Sequence, residues 1–64
     1  MKIYIRMNNE DVIIANNSKQ YGQLMKACEA GSGVFLLKDA EINGSLVWGD
    51  TVVMIHNIST FILY

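Results

Sequence analysis

Residues 46–64 read LVWGDTVVMIHNISTFILY, and this stretch decides the fold because it is almost continuously apolar and rich in strand-forming residues. Gly49-Asp50 marks a tight turn within it, and the small polar residues at 56–60 indicate a bend or a single 3₁₀ turn. The pattern therefore predicts strands near residues 45–48, 51–56 and 61–64. A chain of this length cannot easily bury all of this apolar surface. We therefore expect part of it to contact another copy of the chain or a partner.

The length of the chain points to oligomerisation. A domain of about 60 residues buries only roughly 60% of the surface that its unfolded chain exposes, so small folds depend on additional supports. The single cysteine, Cys28, excludes an intrachain disulfide, and one cysteine with His56 makes no zinc ligand set. With 52% hydrophobic and only 17% charged residues, the surface is expected to be partly covered. We expect a homo-oligomer without a metal or cofactor.

The charge balance argues against polyanionic partners. Five basic and six acidic residues give a net charge of −1, so we expect no non-specific binding to nucleic acid and no attraction to anionic lipid. Residues 1–6 alternate and then turn polar, without the apolar core of a signal peptide or the ~20 apolar residues of a membrane span. The expectation is a soluble cytoplasmic protein with a reduced thiol and no membrane partner.

The first half of the chain predicts a hairpin followed by a helix. Residues 1–7 alternate apolar and polar, residues 8–11 favour a turn, and residues 11–15 resume a β-branched run. Asn17 with Gln20 approximates a capping box, which predicts a helix over residues 18–30. Its predicted buried stripe comprises Tyr21, Leu24, Met25 and Cys28. Gly31 marks the end of the helix, and Gly22 inside it predicts the close approach of another backbone.

The predicted fold class is α+β and β-rich. Residues 34–37 are apolar without alternation, which predicts a central strand near 34–42 covered on both faces. Asn43-Gly44 is the strongest hairpin signal, because a type I′ turn needs positive φ at both central residues. We expect one domain over residues 1–64, without a linker, built from a β-hairpin, one helix and a curved antiparallel meander that approaches a small barrel.

No residue carries an obvious catalytic role. His56 is the only side chain that ordinarily titrates near neutral pH, and its available partners are Cys28 and Asp50. Cys28 lies on the predicted buried stripe, where a thiol has a raised pKa and behaves as a small hydrophobe. We therefore predict no catalytic residue, no metal site and no enzyme.

Lys2, Tyr4 and Arg6 form one candidate ligand site. These three side chains share a strand face, and an aromatic ring between two cations could hold a base or a phosphate. The alternative is an ordinary exposed sheet face with extended basic side chains. On the first interpretation, the protein is an oligomer that binds a small anion such as a nucleotide at its subunit boundaries.

The apolar carboxy-terminal strands provide the other candidate site. Trp48 could anchor an interface, because tryptophan, tyrosine and arginine dominate binding hot spots, or it could cap the core. The leading hypothesis is a non-enzymatic interaction protein, a dimer or larger, that acts as an adaptor or inhibitor of another macromolecule, most simply a protein. The small size and near-neutral charge of the chain suggest a bacterial or phage product. The predicted interface comprises Trp48, Val52, Met54, Phe61 and Leu63.

Overall fold

The computed structural model describes all 64 residues and confirms a β-rich α+β fold. It contains seven strands, one α-helix and one 3₁₀ turn. In chain order these are β1 (Ile3–Met7), β2 (Val12–Ala15), α1 (Tyr21–Ala30), β3 (Val34–Lys38), β4 (Ala40–Ile42), β5 (Ser45–Leu46), β6 (Asp50–Met54), the 3₁₀ turn (Ile55–Asn57) and β7 (Ile58–Leu63).

The strands form two separate antiparallel sheets. One has five strands in the order β5-β4-β2-β1-β7, and the other is a two-stranded ribbon of β3 and β6. The strands of the predicted antiparallel meander divide between these two sheets, and the sheets do not close into a barrel. Asp39 is the reason for the division: its φ of 51° interrupts the predicted strand 34–42 and separates β3 from β4. The ribbon is the part of the fold on which the candidate site lies.

The predicted amino-terminal hairpin is confirmed. β1 pairs with β2 antiparallel, with Ile3 opposite Ala15 and Ile5 opposite Ile13. The turn between them is closed by the Met7 N–H, which donates to the Asp11 carbonyl at 2.9 Å. Its third residue, Glu10, has a φ of 73°, as a three-residue hairpin turn requires.

The Asn43-Gly44 turn is confirmed as well. Asn43 has a φ of 51° and Gly44 a φ of 88°, so both central residues have the positive φ of a type I′ turn. The Asn43 side chain also ties this turn to the first hairpin. Its Oδ1 accepts from the Val12 N–H at 2.9 Å, and its Nδ2 donates to Asp11 Oδ1 at 3.0 Å.

The helix begins at Tyr21, three residues later than predicted. Asn17 does not cap it, because Asn17 Oδ1 accepts from the Lys19 N–H at 3.1 Å and so stabilises a local turn instead. Gln20 is the N-cap residue and forms no side-chain capping bond. The predicted end is confirmed, since Gly31 has a φ of 79° and its N–H donates to the Cys28 carbonyl.

The predicted buried stripe of the helix is partly wrong. Leu24 is fully buried, and Tyr21 and Cys28 pack against the core as predicted. Met25, however, is exposed, and the residue that packs against the core beside Cys28 is Ala27.

The last strand begins at Ile58, three residues earlier than predicted, because the 3₁₀ turn starts at Ile55. The Ile55 side chain is buried and its N–H donates to the Gly33 carbonyl at 3.0 Å, which fixes the point at which the chain leaves β6. β7 then pairs antiparallel with β1, placing Leu63 opposite Ile3. The carboxy-terminal strand is therefore an edge of its own chain's larger sheet.

One hydrophobic core joins the two sheets and the helix. The larger sheet contributes alternate residues of β1, β2 and β4, the helix contributes Leu24, and the ribbon contributes one face. The predicted burial of β3 on both faces is wrong, because Leu37 points into the core whereas Leu36 is exposed. The ten buried residues are Ile3, Ile5, Met7, Ile13, Ala15, Leu24, Leu37, Ala40, Val53 and Ile55.

Two glycine substitutions should change stability in opposite directions. Nothing lies within 4 Å of a Cβ built on Gly22, so the predicted close approach is wrong, and Gly22→Ala should stabilise the protein by about 0.5 kcal/mol. Gly44→Ala should destabilise it by about 1 kcal/mol, because the φ of 88° at Gly44 strains any side chain. Denaturant unfolding of both variants measures the two changes. A loss of stability in Gly22→Ala would contradict the open environment of this residue.

Candidate functional site

The outer face of the ribbon is apolar and exposed. Along β3 and β6 alternate residues point away from the core, and four of them are large hydrophobic side chains. Val34 lies directly opposite Met54, and Leu36 lies opposite Val52, so the four form one contiguous cluster, called here the apolar face. Their exposed fractions are 58% for Val34, 47% for Leu36, 59% for Val52 and 41% for Met54.

A pair of opposite charges borders the apolar face at one end. The next cross-strand pair on this face of the ribbon, beyond Leu36 and Val52, is Lys38 and Asp50. Both of these side chains are exposed. Directly opposite residues on a sheet face have Cβ atoms about 4.5 to 5.5 Å apart, so these two side chains leave the ribbon at neighbouring points. The apolar face therefore ends in one positive and one negative group.

Trp48 is the most exposed large hydrophobic side chain, at 80%. It immediately precedes Gly49, whose carbonyl accepts from the Asp39 N–H at 3.0 Å just beyond the Lys38–Asp50 pair. Such exposure excludes the alternative in which Trp48 caps the core. Trp48 instead lies two residues before Asp50, at the charged end of the ribbon.

Phe61 and Leu63 lie on the core-facing side of β7, unlike the other predicted interface residues. Both are half-buried, and the Phe61 ring meets the Tyr21 ring edge-on with 5.8 Å between centroids. The exposed hydrophobic residue of this strand is Ile62, at 53%. The structure thus brings Val52 and Met54 together on the ribbon and separates Phe61 and Leu63 from them.

Lys2, Tyr4 and Arg6 share the outer face of the larger sheet, as their spacing predicts. Lys2 and Arg6 are exposed and Tyr4 is half-buried. The Tyr4 ring meets the Tyr64 ring edge-on at 6.2 Å, because Lys2 and Tyr64 are bonded to each other through both backbone groups. None of the three predicted ligand residues lines a groove of the chain.

The larger of the two grooves has a volume of about 500 Å³ and runs beside β6. One wall is formed by residues 51–54 of β6, and the other by the turn of the first hairpin, including Asn8, Asn9 and Asp11. Ile13 and Ile42 contribute apolar surface between the walls. The groove therefore combines a strand edge, amide side chains and one carboxylate.

Cys28 and His56 line the smaller cleft, which has a volume of about 430 Å³. Burial raises the pKa of the Cys28 thiol above its usual range, so the sulfur is protonated near neutral pH and is a poor nucleophile. Asp50, the other partner considered for His56, lies on the ribbon and does not line this cleft. The cleft thus brings a thiol and an imidazole together without a carboxylate.

The chain contains no group of three or more His, Cys, Asp or Glu side chains that could hold a metal ion. No helix has both the length and the apolar character needed to cross a membrane. Comparisons of the chain with protein-family models, with curated proteins and with solved structures found no match.

Sequence reasoning missed Val34 and Leu36 as exposed residues. The run Val34–Leu37 has no alternation, so its pattern could not show which face is buried. A signal was nevertheless present in Lys38, which shares a strand face with Val34 and Leu36 under period-2 geometry. A lysine on that face indicates that the face meets water or a polar boundary.

The raised pKa of Cys28 predicts slow alkylation. Because only the thiolate reacts, the rate of modification by iodoacetamide should rise at a higher pH than for free cysteine, and at pH 8 it should be below the free-cysteine rate. A pH series of alkylation rates, with urea-unfolded protein as the control, measures this difference. A rate profile equal to that of the unfolded chain would contradict the burial of the thiol.

Proposed function

We propose that this chain is a non-enzymatic interaction protein that self-associates through the apolar face and binds another macromolecule in that form. The observation that carries the proposal is the cluster of four exposed hydrophobic side chains on the ribbon. Contiguous apolar patches on soluble chains mark interaction sites more often than scattered exposed hydrophobic residues do. A second copy of the chain is the occupant that best fits this surface.

The size of the chain supports a small, apolar interface. A standard interface covers about 800 Å² on each partner, which is roughly a fifth of the 4130 Å² surface of this chain. The apolar face would form its centre, and Trp48 together with the charged end of the ribbon would extend it. Burial of apolar surface contributes about 25 cal/mol of stabilising free energy per Å². Association through this interface would therefore stabilise a chain that is too short to bury a large core alone.

The charges at the end of the ribbon favour a second copy over an unrelated partner. In a two-fold interface the same patch meets itself, so a positive and a negative group on one edge can each face their opposite on the other copy. Lys38 of one copy can then lie near Asp50 of the second copy. An apolar centre with one positive and one negative border group is self-complementary in this sense.

The test of the proposal is the mass of the protein in solution. Wild-type protein should be a dimer or larger by light scattering at concentrations of tens of micromolar, about the range in which moderate affinities hold. Val52→Asp should be monomeric, because association would bury an unpaired carboxylate in the apolar face. Ile62→Asp is the matched control, since Ile62 is similarly exposed on the other sheet, and it should keep the wild-type mass.

The outcome that contradicts this assignment is equally specific. A wild-type monomer throughout the dilution series would exclude self-association, and an unchanged mass in Val52→Asp would place the interface elsewhere. Circular dichroism of each variant distinguishes loss of association from loss of the fold.

A second candidate function rests on the shared outer face of Lys2, Tyr4 and Arg6, where an aromatic ring lies between two exposed cations. Because none of these residues lines a groove within one chain, an anion would bind there only across a subunit boundary.

Thermal unfolding in the presence of ATP tests this second candidate. Ligand binding to the folded state stabilises it by RT ln(1 + [L]/Kd), about 2.7 kcal/mol at a hundredfold excess over Kd. The melting temperature should rise in the wild type and in Lys19→Ala, which removes an exposed cation elsewhere, but not in Arg6→Ala. An unchanged wild-type melting temperature would reject ATP as a ligand of this face.

A further inference from the structure

The free edge of β6 presents backbone hydrogen-bonding groups without partners. In an antiparallel pair, residues alternate between those that bond to the opposite strand and those whose N–H and C=O point to the other side. The bonds from Ile55 N–H to Gly33 O and from Asp39 N–H to Gly49 O fix this alternation in the ribbon. The N–H and C=O of Val52 and the N–H of Met54 consequently point away from β3, toward the groove, whereas the Met54 carbonyl accepts the first bond of the 3₁₀ turn.

One carbonyl on the corresponding edge of β3 has a hydrogen-bond partner. Leu36 also points its carbonyl away from the ribbon ladder, and there Gln20 Nε2 donates a hydrogen bond to it at 2.8 Å. The N-cap residue of the helix therefore contacts the β3 edge at Leu36. β6 has no such contact, and an unpaired strand edge is a template for another strand.

The groove beside β6 suits an extended backbone. Its volume of about 500 Å³ lies along β6, with Ile13 and Ile42 supplying apolar contact surface and Asn8 and Asn9 supplying amide groups on the opposite wall. Backbone bonds to a strand edge combined with contacts for alternate side chains are the two components of recognition by strand addition.

The charge of the groove indicates the chemistry of its occupant. Asp11 is the single charged residue among its lining side chains. One Asp11 oxygen accepts from Asn9 Nδ2 and the other from Asn43 Nδ2, both at 3.0 Å, which holds the carboxylate in place. Each carboxylate oxygen has further acceptor capacity. A lysine or arginine from a ligand would find an oriented carboxylate and no competing cation.

We propose that the free edge of β6 binds an extended, basic segment of a partner protein by strand addition. The segment pairs with the N–H and C=O of Val52 and with the N–H of Met54, and it places a lysine or arginine beside Asp11. This inference deepens the proposed function, since it rests on the claim that the chain binds another macromolecule, and it gives that partner a chemical class.

Met54 provides a sharp test because its φ of −79° already suits proline. Met54→Pro removes the outward N–H without breaking a bond of the β3–β6 ladder, whereas Met54→Ala removes the same side chain and keeps the N–H. The probe is a set of capped, fluorescein-labelled peptides of about nine residues, in which valine and threonine alternate and one lysine moves through the central positions. Fluorescence polarisation measures their binding.

The tightest peptide should bind Met54→Ala within about threefold of the wild type and Met54→Pro about tenfold more weakly, as expected for the loss of a backbone bond and a clash at the edge. Replacing its lysine by glutamate should weaken binding by a similar factor, and so should Asp11→Asn in the protein. Amide exchange of the complex should slow at Val52 and Met54. The proposal is overturned by no binding from any peptide at about 1 mM, by equal binding to both Met54 variants, or by slowed exchange at Phe61 and Leu63 of β7 instead.

Two measurements separate this inference from self-association. Leu36→Asp, on β3, disrupts the apolar face without changing a residue of the β6 edge, so it should be monomeric and still bind the peptide. If the wild type is monomeric but binds the peptide, self-association fails and strand addition stands. If Val52 and Met54 amides are already protected in the peptide-free oligomer, a second copy occupies the edge and strand addition by a partner is wrong.

Discussion

The left-handed backbone of Asp39 and its bonds to Gly49 are the constraint on which the two-sheet architecture depends. Asp39 donates its N–H to the Gly49 carbonyl at 3.0 Å and accepts from the Gly49 N–H through Oδ1 at 3.3 Å. Its own carbonyl accepts from Asn16 Nδ2. These contacts hold a φ of 51° that an aspartate tolerates better than most residues. At this corner the chain leaves the ribbon and enters the larger sheet.

The turn at Asp39 determines which surfaces of the ribbon are exposed. Because β3 ends at Lys38 and β4 begins at Ala40, β4 can pair with β2 while β3 pairs only with β6. A single strand over residues 34–42 would instead have joined the ribbon to the larger sheet. The ribbon has only one side on the core, so Leu37 and Val53 are buried while Leu36 and Val52 face outward. The exposed apolar face is thus a direct result of the split.

The parts of the fold that the sequence predicts well are those fixed by local chemistry. Alternation in residues 1–7, the positive φ of Asn43-Gly44 and the end of the helix at Gly31 depend on a few neighbouring residues, and all are confirmed. The sheet to which each strand belongs depends on contacts far apart in the chain. Asp39 bonding to Gly49 and Gln20 bonding to Leu36 have no local signature, so the division into two sheets could not be predicted.

The candidate site likewise depends partly on local sequence pattern and partly on contacts between residues far apart in the chain. Val52 and Met54 were predicted as interface residues from composition, and period-2 geometry correctly puts them on one face. The same geometry puts Phe61 and Leu63 on one face too, yet alternation alone does not say whether that face is inner or outer. The pairing of Ile5 with Phe61 decides it, because Ile5 is fully buried in the core.

The ribbon can serve two interactions because side chains and backbone groups leave a strand in different directions. Side chains stand roughly perpendicular to a sheet, whereas N–H and C=O groups lie within its plane. Val52 and Met54 therefore direct their side chains to the apolar face and their unpaired backbone groups to the groove. A second copy stacked on the apolar face would approach β6 perpendicular to the sheet. A strand added at the edge would approach within the plane of the sheet, so the two directions differ by about a right angle. Self-association through the apolar face would therefore leave the edge accessible, and an added strand would widen the apolar face by extending the sheet that carries it.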